Sequence, residues 1–227
     1  MASSVLIISE SGAGKSTSIK NLNPEETFII NVANKPLPFK GWKSMYPIWS
    51  KENQNGRMYT RPGANEILAC LKYVNEKRPE IKNIVIDDLQ YMSAFEYFDR
   101  ADEKGFEKFS KISKDLAGVA RAPQSMRDDL IVYMLTHAEE SMDAYGEKRI
   151  KAKTVGRMID SSLTLEGLFS IVLFCKAKKS KDSGIRYIFE TANDGGNTCK
   201  APAGMFETKE IDNDLDLVRQ AIIDYEN

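Results

Sequence analysis

Apolar residues in this chain fall into short unbroken runs separated by stretches with helical spacing. Val5-Leu6-Ile7-Ile8, Ile84-Val85-Ile86 and Leu130 to Leu135 are continuous, and Thr27 to Val32 is interrupted only by Asn31. Such runs read as strands buried on both faces, the signature of a parallel sheet. Weaker strands are expected at Ser170 to Cys175 and Arg186 to Glu190. Between them the pattern changes period. A short helix is expected from Lys15 to Asn21, closed by Asn23-Pro24, and a longer one from Ala64 to Lys77, with Ile67, Leu71 and Val74 on one face. Phe109, Ile112, Leu116 and Val119 form another stripe, broken off at Gly105 and Pro123. Helices are also expected from Val155 to Leu168 and, after an Asn/Asp-rich cap, from Asn213 to Tyr225. Gly41 to Arg61 reads as irregular surface structure with at most one short strand. Strands alternating with helices predict a single α/β domain over residues 1–227, a mostly parallel sheet flanked by helices.

Composition narrows the class. The chain has 227 residues, 42% hydrophobic and 29% charged, enough to bury a real core. Lys+Arg 32 against Asp+Glu 33 gives a net charge of -1, which speaks against a protein coated in positive charge. The balance is uneven along the chain. Gly146 to Arg186 carries ten basic and four acidic residues, a net of +6, and Phe206 to Asn227 carries seven acidic and two basic, a net of -5. Cys70, Cys175 and Cys199 are odd in number and widely spaced, which suggests neither a disulfide framework nor a CxxC metal site. His137 is the only histidine, so His-rich zinc sites are excluded. The Val5 to Ile8 run is too short for a signal peptide core, and no later run reaches membrane-spanning length, so a soluble, cytoplasmic protein is expected.

The most specific chemistry lies at Ser9-Glu10-Ser11-Gly12-Ala13-Gly14-Lys15-Ser16-Thr17, between the first strand and the first helix. The segment resembles a Walker A loop, GxxxxGK[ST], with Ser9 in the first glycine position. Small residues at Ser11, Gly12, Ala13 and Gly14 allow backbone N–H groups to turn in around phosphate oxygens, and Thr17 closes the loop. Lys15 is then placed to reach the β- and γ-phosphates of ATP, and the Ser16 hydroxyl to ligate Mg2+. Ile84-Val85-Ile86-Asp87-Asp88 resembles a Walker B strand. A carboxylate at the C-terminal end of such a strand lies at the crevice where α/β sheets bind ligands, which makes Asp87 the metal-side acid. Asp88, by analogy with ATPases that carry a second acid here, would orient or deprotonate the attacking water.

The Walker-type segments and a strand ending in polar residues, in this order, resemble the RecA-like core of P-loop ATPases. With Lys35-Pro36-Leu37-Pro38-Phe39-Lys40-Gly41-Trp42 and Ile86-Asp87-Asp88-Leu89-Gln90-Tyr91 added, the chain is similar to phage-encoded ATP-binding proteins of the AAA-domain type. Some of these are grouped with RecA-like single-strand-annealing recombination proteins. The resemblance implies a sensor of the γ-phosphate at Thr136 or His137, and a homo-oligomer, ring or filament, in which Lys200 reaches a neighbour's γ-phosphate. Lys148 and Arg149 compete with Lys200 for that role. It also implies action on single-stranded DNA in phage recombination or replication.

Independent support for a nucleic-acid partner comes from two lysine-rich clusters, expected in loops. Lys148, Arg149, Lys151, Lys153 and Arg157 form one and Lys176, Lys178, Lys179 and Lys181 the other, with Tyr145 placed to stack a base. Two solvated loops are the plain alternative. For the whole chain two other functions stay open: a nucleotide or small-molecule kinase, against which the scarcity of clustered arginines weighs, and a nucleotide-dependent assembly module without hydrolysis.

Overall fold

The computed structural model describes residues 1–142, 146, 148–155, 164–180 and 184–227. In chain order its elements are β1 (Ser3–Ser9), β2 (Thr27–Asn31), α1 (Trp42–Met45), β3 (Met58–Thr60), α2 (Ala64–Lys77), β4 (Asn83–Asp87), α3 (Gln90–Asp99), α4 (Glu107–Arg121), β5 (Ile131–Met142), β6 (Lys148–Ala152), β7 (Ile171–Ser180), β8 (Gly184–Glu190), β9 (Glu210–Asp212) and α5 (Leu215–Glu226). The sheet runs β3-β2-β4-β5-β1-β7-β8-β9, with β6 on β5 beyond that path. The strands from β3 to β7 in this order are mutually parallel. β8, β9 and β6 join antiparallel.

The unbroken apolar runs are explained by burial on both faces. Because successive side chains alternate, Leu6, Ile8, Phe28, Ile30, Ile84, Ile86, Val132 and Met134 face one layer, where Ile67, Leu71 and Val74 of α2 and Ile112, Leu116 and Val119 of α4 cover them. Val5, Ile7, Ile29, Val85, Tyr133, Leu135 and Leu173 face the other, covered by Ile19 and Leu22 after the first strand and by Leu215, Val218 and Ile222 of α5. The Gly41 to Arg61 stretch lies over the β3 edge, where Trp49 packs against Tyr59 and Tyr73. Among the described residues, no helix is long and apolar enough to cross a membrane.

The short helix expected over Lys15–Asn21 forms, as a 3-10 helix. Two expectations need correction. The strand through Leu135 does not end at Thr136 and His137 but runs on to Met142, and β6 returns along it. The basic residues Lys148 to Lys151 therefore belong to a strand, not a loop: Glu139 sits opposite Lys151, and Lys148 reaches Glu140 at 3.2 Å. Opposite charges across an antiparallel pair stabilise it and offset the low strand preference of lysine. The second cluster likewise lies on a strand, β7 continuing to Ser180 opposite β8. Of the helix expected from Val155 to Leu168, the described part includes a 3-10 turn at Leu165–Leu168, and Tyr145, Arg157 and Lys181 lie outside the described residues.

Candidate nucleotide-binding site

The C-terminal edges of β1, β2 and β4 open onto a cleft of about 400 Å³. Its lining includes Gly12, Gly14, Lys15, Ser16 and Thr17 from the first loop, Asp87 and Asp88, His137, Lys35 and Tyr187. Strand order brings these together: β1 and β4 flank β5, so the ends of β1 and β4 meet on either side of His137, where β5 passes the edge.

The loop after β1 has its carbonyls tied behind it. Cys175 Sγ donates to the Ala13 carbonyl at 2.9 Å, and Asn213 Nδ2 donates to the Gly14 carbonyl at 2.9 Å. Glycine is needed at position 14. Its φ is 92°, and a Cβ there would lie 2.5 Å from Asn213 Nδ2 and 2.9 Å from the Tyr187 ring. The helix that follows spans only seven residues. The anion cradle thus rests on the loop's own amides and Lys15 more than on a long helix axis. Ser9 is fully buried and Ala13 is buried behind the loop, so Ala13 contributes backbone alone.

Charge converges on Asp88. Lys15 Nζ lies 2.5 Å from Asp88 Oδ1 and 3.3 Å from Asp87 Oδ1, with lysine and both carboxylates buried. Lys35 Nζ takes the other Asp88 oxygen at 2.8 Å, and His137 Nε2 lies 3.5 Å from Oδ1. Burial disfavours the Lys15 ammonium, but the neighbouring Asp87 and Asp88 charges outweigh it and hold its pKa above the ordinary lysine value. Burial also disfavours the Asp88 carboxylate, and contacts from His137, Lys15 and Lys35 outweigh it, holding that group far below the usual carboxylate range. Asp88 adopts a left-handed φ of 63°, rare for a residue with a Cβ and typical of strained functional positions. Ser16 Oγ donates to Asp87 Oδ1 at 2.9 Å. This hydroxyl and carboxylate are hard oxygen donors, suited to a magnesium ion that completes its shell with water and phosphate oxygens.

A family profile described as an AAA domain matches residues 1–202. The chain belongs to the AAA domain family. This places the site in an α/β P-loop NTPase fold, and AAA domains are nucleotide-binding ATPases. No curated protein matches the sequence. The matched span of the AAA domain ends before α5 and Asn213, so the Asn213 bond to the loop comes from outside it.

The expected site residues divide clearly. Ser11, Gly12, Gly14, Lys15, Ser16, Thr17, Asp87, Asp88 and His137 line the AAA domain's cleft. Thr136 does not. Side-chain alternation along β5 turns it to the opposite face, where its hydroxyl meets Gln90 Oε1 at 3.3 Å and His137 alone faces the cleft. Lys200 stands elsewhere, exposed and held by backbone bonds of 2.7 and 2.9 Å to Val172, so it does not act on its own chain's cleft. Lys148, Arg149, Lys151 and Lys153 lie on or just after β6, beside the cleft rather than in it. Sequence reasoning missed the site roles of Lys35, Tyr187 and Asn213. For Lys35 a signal existed: it follows the C-terminal end of a buried strand, where α/β ligands bind.

Proposed function

We propose that the chain is a magnesium-dependent ATPase that works on single-stranded DNA, in phage recombination or replication. The observation that carries the nucleotide half is the convergence of Lys15 and Ser16 on Asp87, each within hydrogen-bonding distance of the same carboxylate oxygen. In this reading Lys15 leaves Asp88 for the β- and γ-phosphate oxygens, and Ser16 and Asp87 hold the metal. Magnesium supplies charge neutralisation on the phosphates. His137, on the cleft side of β5, contacts the γ-phosphate, and Asp88 orients the attacking water by accepting its hydrogen bond. The water oxygen bonds to the γ-phosphorus as the bond to the bridging oxygen breaks, giving ADP, inorganic phosphate and a proton released to solvent.

The DNA half is supported by the two ribbons. β5 and β7 flank β1 and continue past the level of Ser9, to Met142 and Ser180; with their antiparallel partners β6 and β8 they form the two ribbons, with Lys148, Arg149 and Lys151 on β6 and Lys176, Lys178 and Lys179 on β7. They would contact backbone phosphates without reading bases. The reading includes a homo-oligomer in which exposed Lys200 reaches a neighbouring copy's cleft. The test is ATP hydrolysis by the full chain with and without single-stranded DNA, alongside sedimentation. Stimulation by DNA with a shift to larger species is expected. Hydrolysis indifferent to DNA, with transfer to an added acceptor, would favour a kinase; nucleotide binding without turnover would favour an assembly module.

A further inference from the structure

Lys35 is built into the cleft by more than its ion pair. Its backbone is clamped on both sides by the buried Asn31 side chain, which accepts from Lys35 N–H at 3.2 Å and donates to the Lys35 carbonyl at 2.7 Å. Asn31 is the last residue of β2 and stands level with Asp87. The register that places Asp87 therefore also places the root of Lys35. Pro36 and Pro38 limit the backbone beyond it, and Leu37 is buried. At its tip, Nζ lies 4.8 Å from the Tyr91 ring centroid and shares Asp88 with Lys15, one lysine on each carboxylate oxygen. The two amines are thus no farther apart than the width of one carboxylate and its two contacts.

They differ in freedom. The Lys15 side chain is 7% exposed and the Lys35 side chain 56%. Lys35 can swing its amine without moving its clamped backbone, and a half-exposed ion pair costs little to exchange. The cleft's two lysines balance Asp87 and Asp88, whereas a magnesium-bound triphosphate brings further negative charge. Lys15 alone would leave part of it unmatched.

Building on the nucleotide reading of this cleft, we propose that Lys35 is a second phosphate-contacting cation supplied by the same chain, which moves from Asp88 to the terminal phosphate of a bound nucleoside triphosphate. It thereby distinguishes triphosphate from diphosphate. A diphosphate, lacking the terminal group, leaves Lys35 on Asp88.

The test is calorimetric binding of a non-hydrolysable ATP analogue and of ADP, each with magnesium, to the full chain and to Lys35→Ala and Lys35→Arg. Lys35→Ala is expected to weaken the triphosphate analogue about 10-fold or more and ADP less than about 2-fold, with Lys35→Arg restoring most of the difference. Equal weakening of both ligands, or no change in either, overturns the proposal. Lys15→Ala serves as the control for the site itself. Binding that survives in Lys15→Ala would overturn the nucleotide reading as a whole, an outcome separate from a failure of Lys35 alone.

Discussion

The cleft and the two ribbons beside it are built from the same materials, lysines against carboxylates, and use them in opposite ways. In the cleft Lys15 and Asp88 are buried, and one carboxylate serves two lysines. On the ribbons Lys148 meets Glu140, Lys151 meets Glu139 and Lys176 meets Glu190, in pairs open at least in part to water. An exposed pair is worth about 0–1 kcal/mol, and stranding one member of a buried pair costs about 3–5 kcal/mol. The cleft therefore yields buried Lys15 only to a ligand of matching charge in a fixed position, whereas half-exposed Lys35 exchanges at small cost. The ribbon lysines can be drawn to any polyanion at small cost, and their glutamates temper that attraction. Specific chemistry is expected from the first region, salt-dependent attachment from the second.

The contrast can be broken most severely at Lys15. Lys15→Ala should abolish measurable nucleotide binding and lower unfolding stability by about 1–3 kcal/mol, because Asp87 and Asp88 lose a charged partner while Asp87 keeps Ser16 and Asp88 keeps Lys35. Calorimetry and denaturant unfolding on the same sample check both. Next comes Gly14→Ala, in which a Cβ meets Asn213 and Tyr187 at a left-handed φ. Nucleotide affinity should fall at least about 10-fold through displacement of the loop.

A smaller effect separates the regions by pH. The pKa of Asp88 is held far below its unfolded value, so its contribution to stability is complete above the ordinary carboxylate range and declines as pH falls through and below about 4. Lys15 is shifted the other way, and its contribution is lost only as pH rises above the ordinary lysine value. Between these limits neither titrates. Melting temperatures followed from pH 6 down to about 3 should fall less steeply in Asp88→Asn than in the parent chain; identical slopes would show that the cleft carboxylate is not held as described.

The smallest change is expected on the ribbons. Replacing Lys148, Arg149, Lys151 and Lys153 with glutamine should weaken single-stranded DNA binding and reduce the salt slope by at most about 3, the value for four phosphate contacts. An unaltered binding isotherm would return this ribbon to a solvated surface.

How much of this was legible in the sequence depended on how local each feature is. β1, β2, β4 and the start of β5 are continuous apolar runs, and the loop after β1 is contiguous, so both were readable. The ribbons were not, because lysine-rich segments look like loops until the facing glutamates of the partner strand are known, as with Glu139 opposite Lys151. Thr136 and His137 are neighbours, and only the register of β5 decides which of them faces the cleft. Lys35 reaches Asp88 across 53 positions of chain, through a clamp by Asn31 that no spacing rule encodes. Cys70, Cys175 and Cys199 are free and buried. The bond from Cys175 to the Ala13 carbonyl, with burial pushing its thiol up to about 12, became visible only in three dimensions.

In the proposed reading Asp87 and Ser16 hold the metal of an ATP-hydrolysing site. Its most direct test is phosphate release from ATP, measured with and without magnesium, in the parent chain and in Asp87→Ala, with ATP binding measured in parallel. Magnesium-dependent release is expected in the parent and near-complete loss in Asp87→Ala, with much of the binding retained. Full activity in Asp87→Ala, or equal release without magnesium, would contradict it.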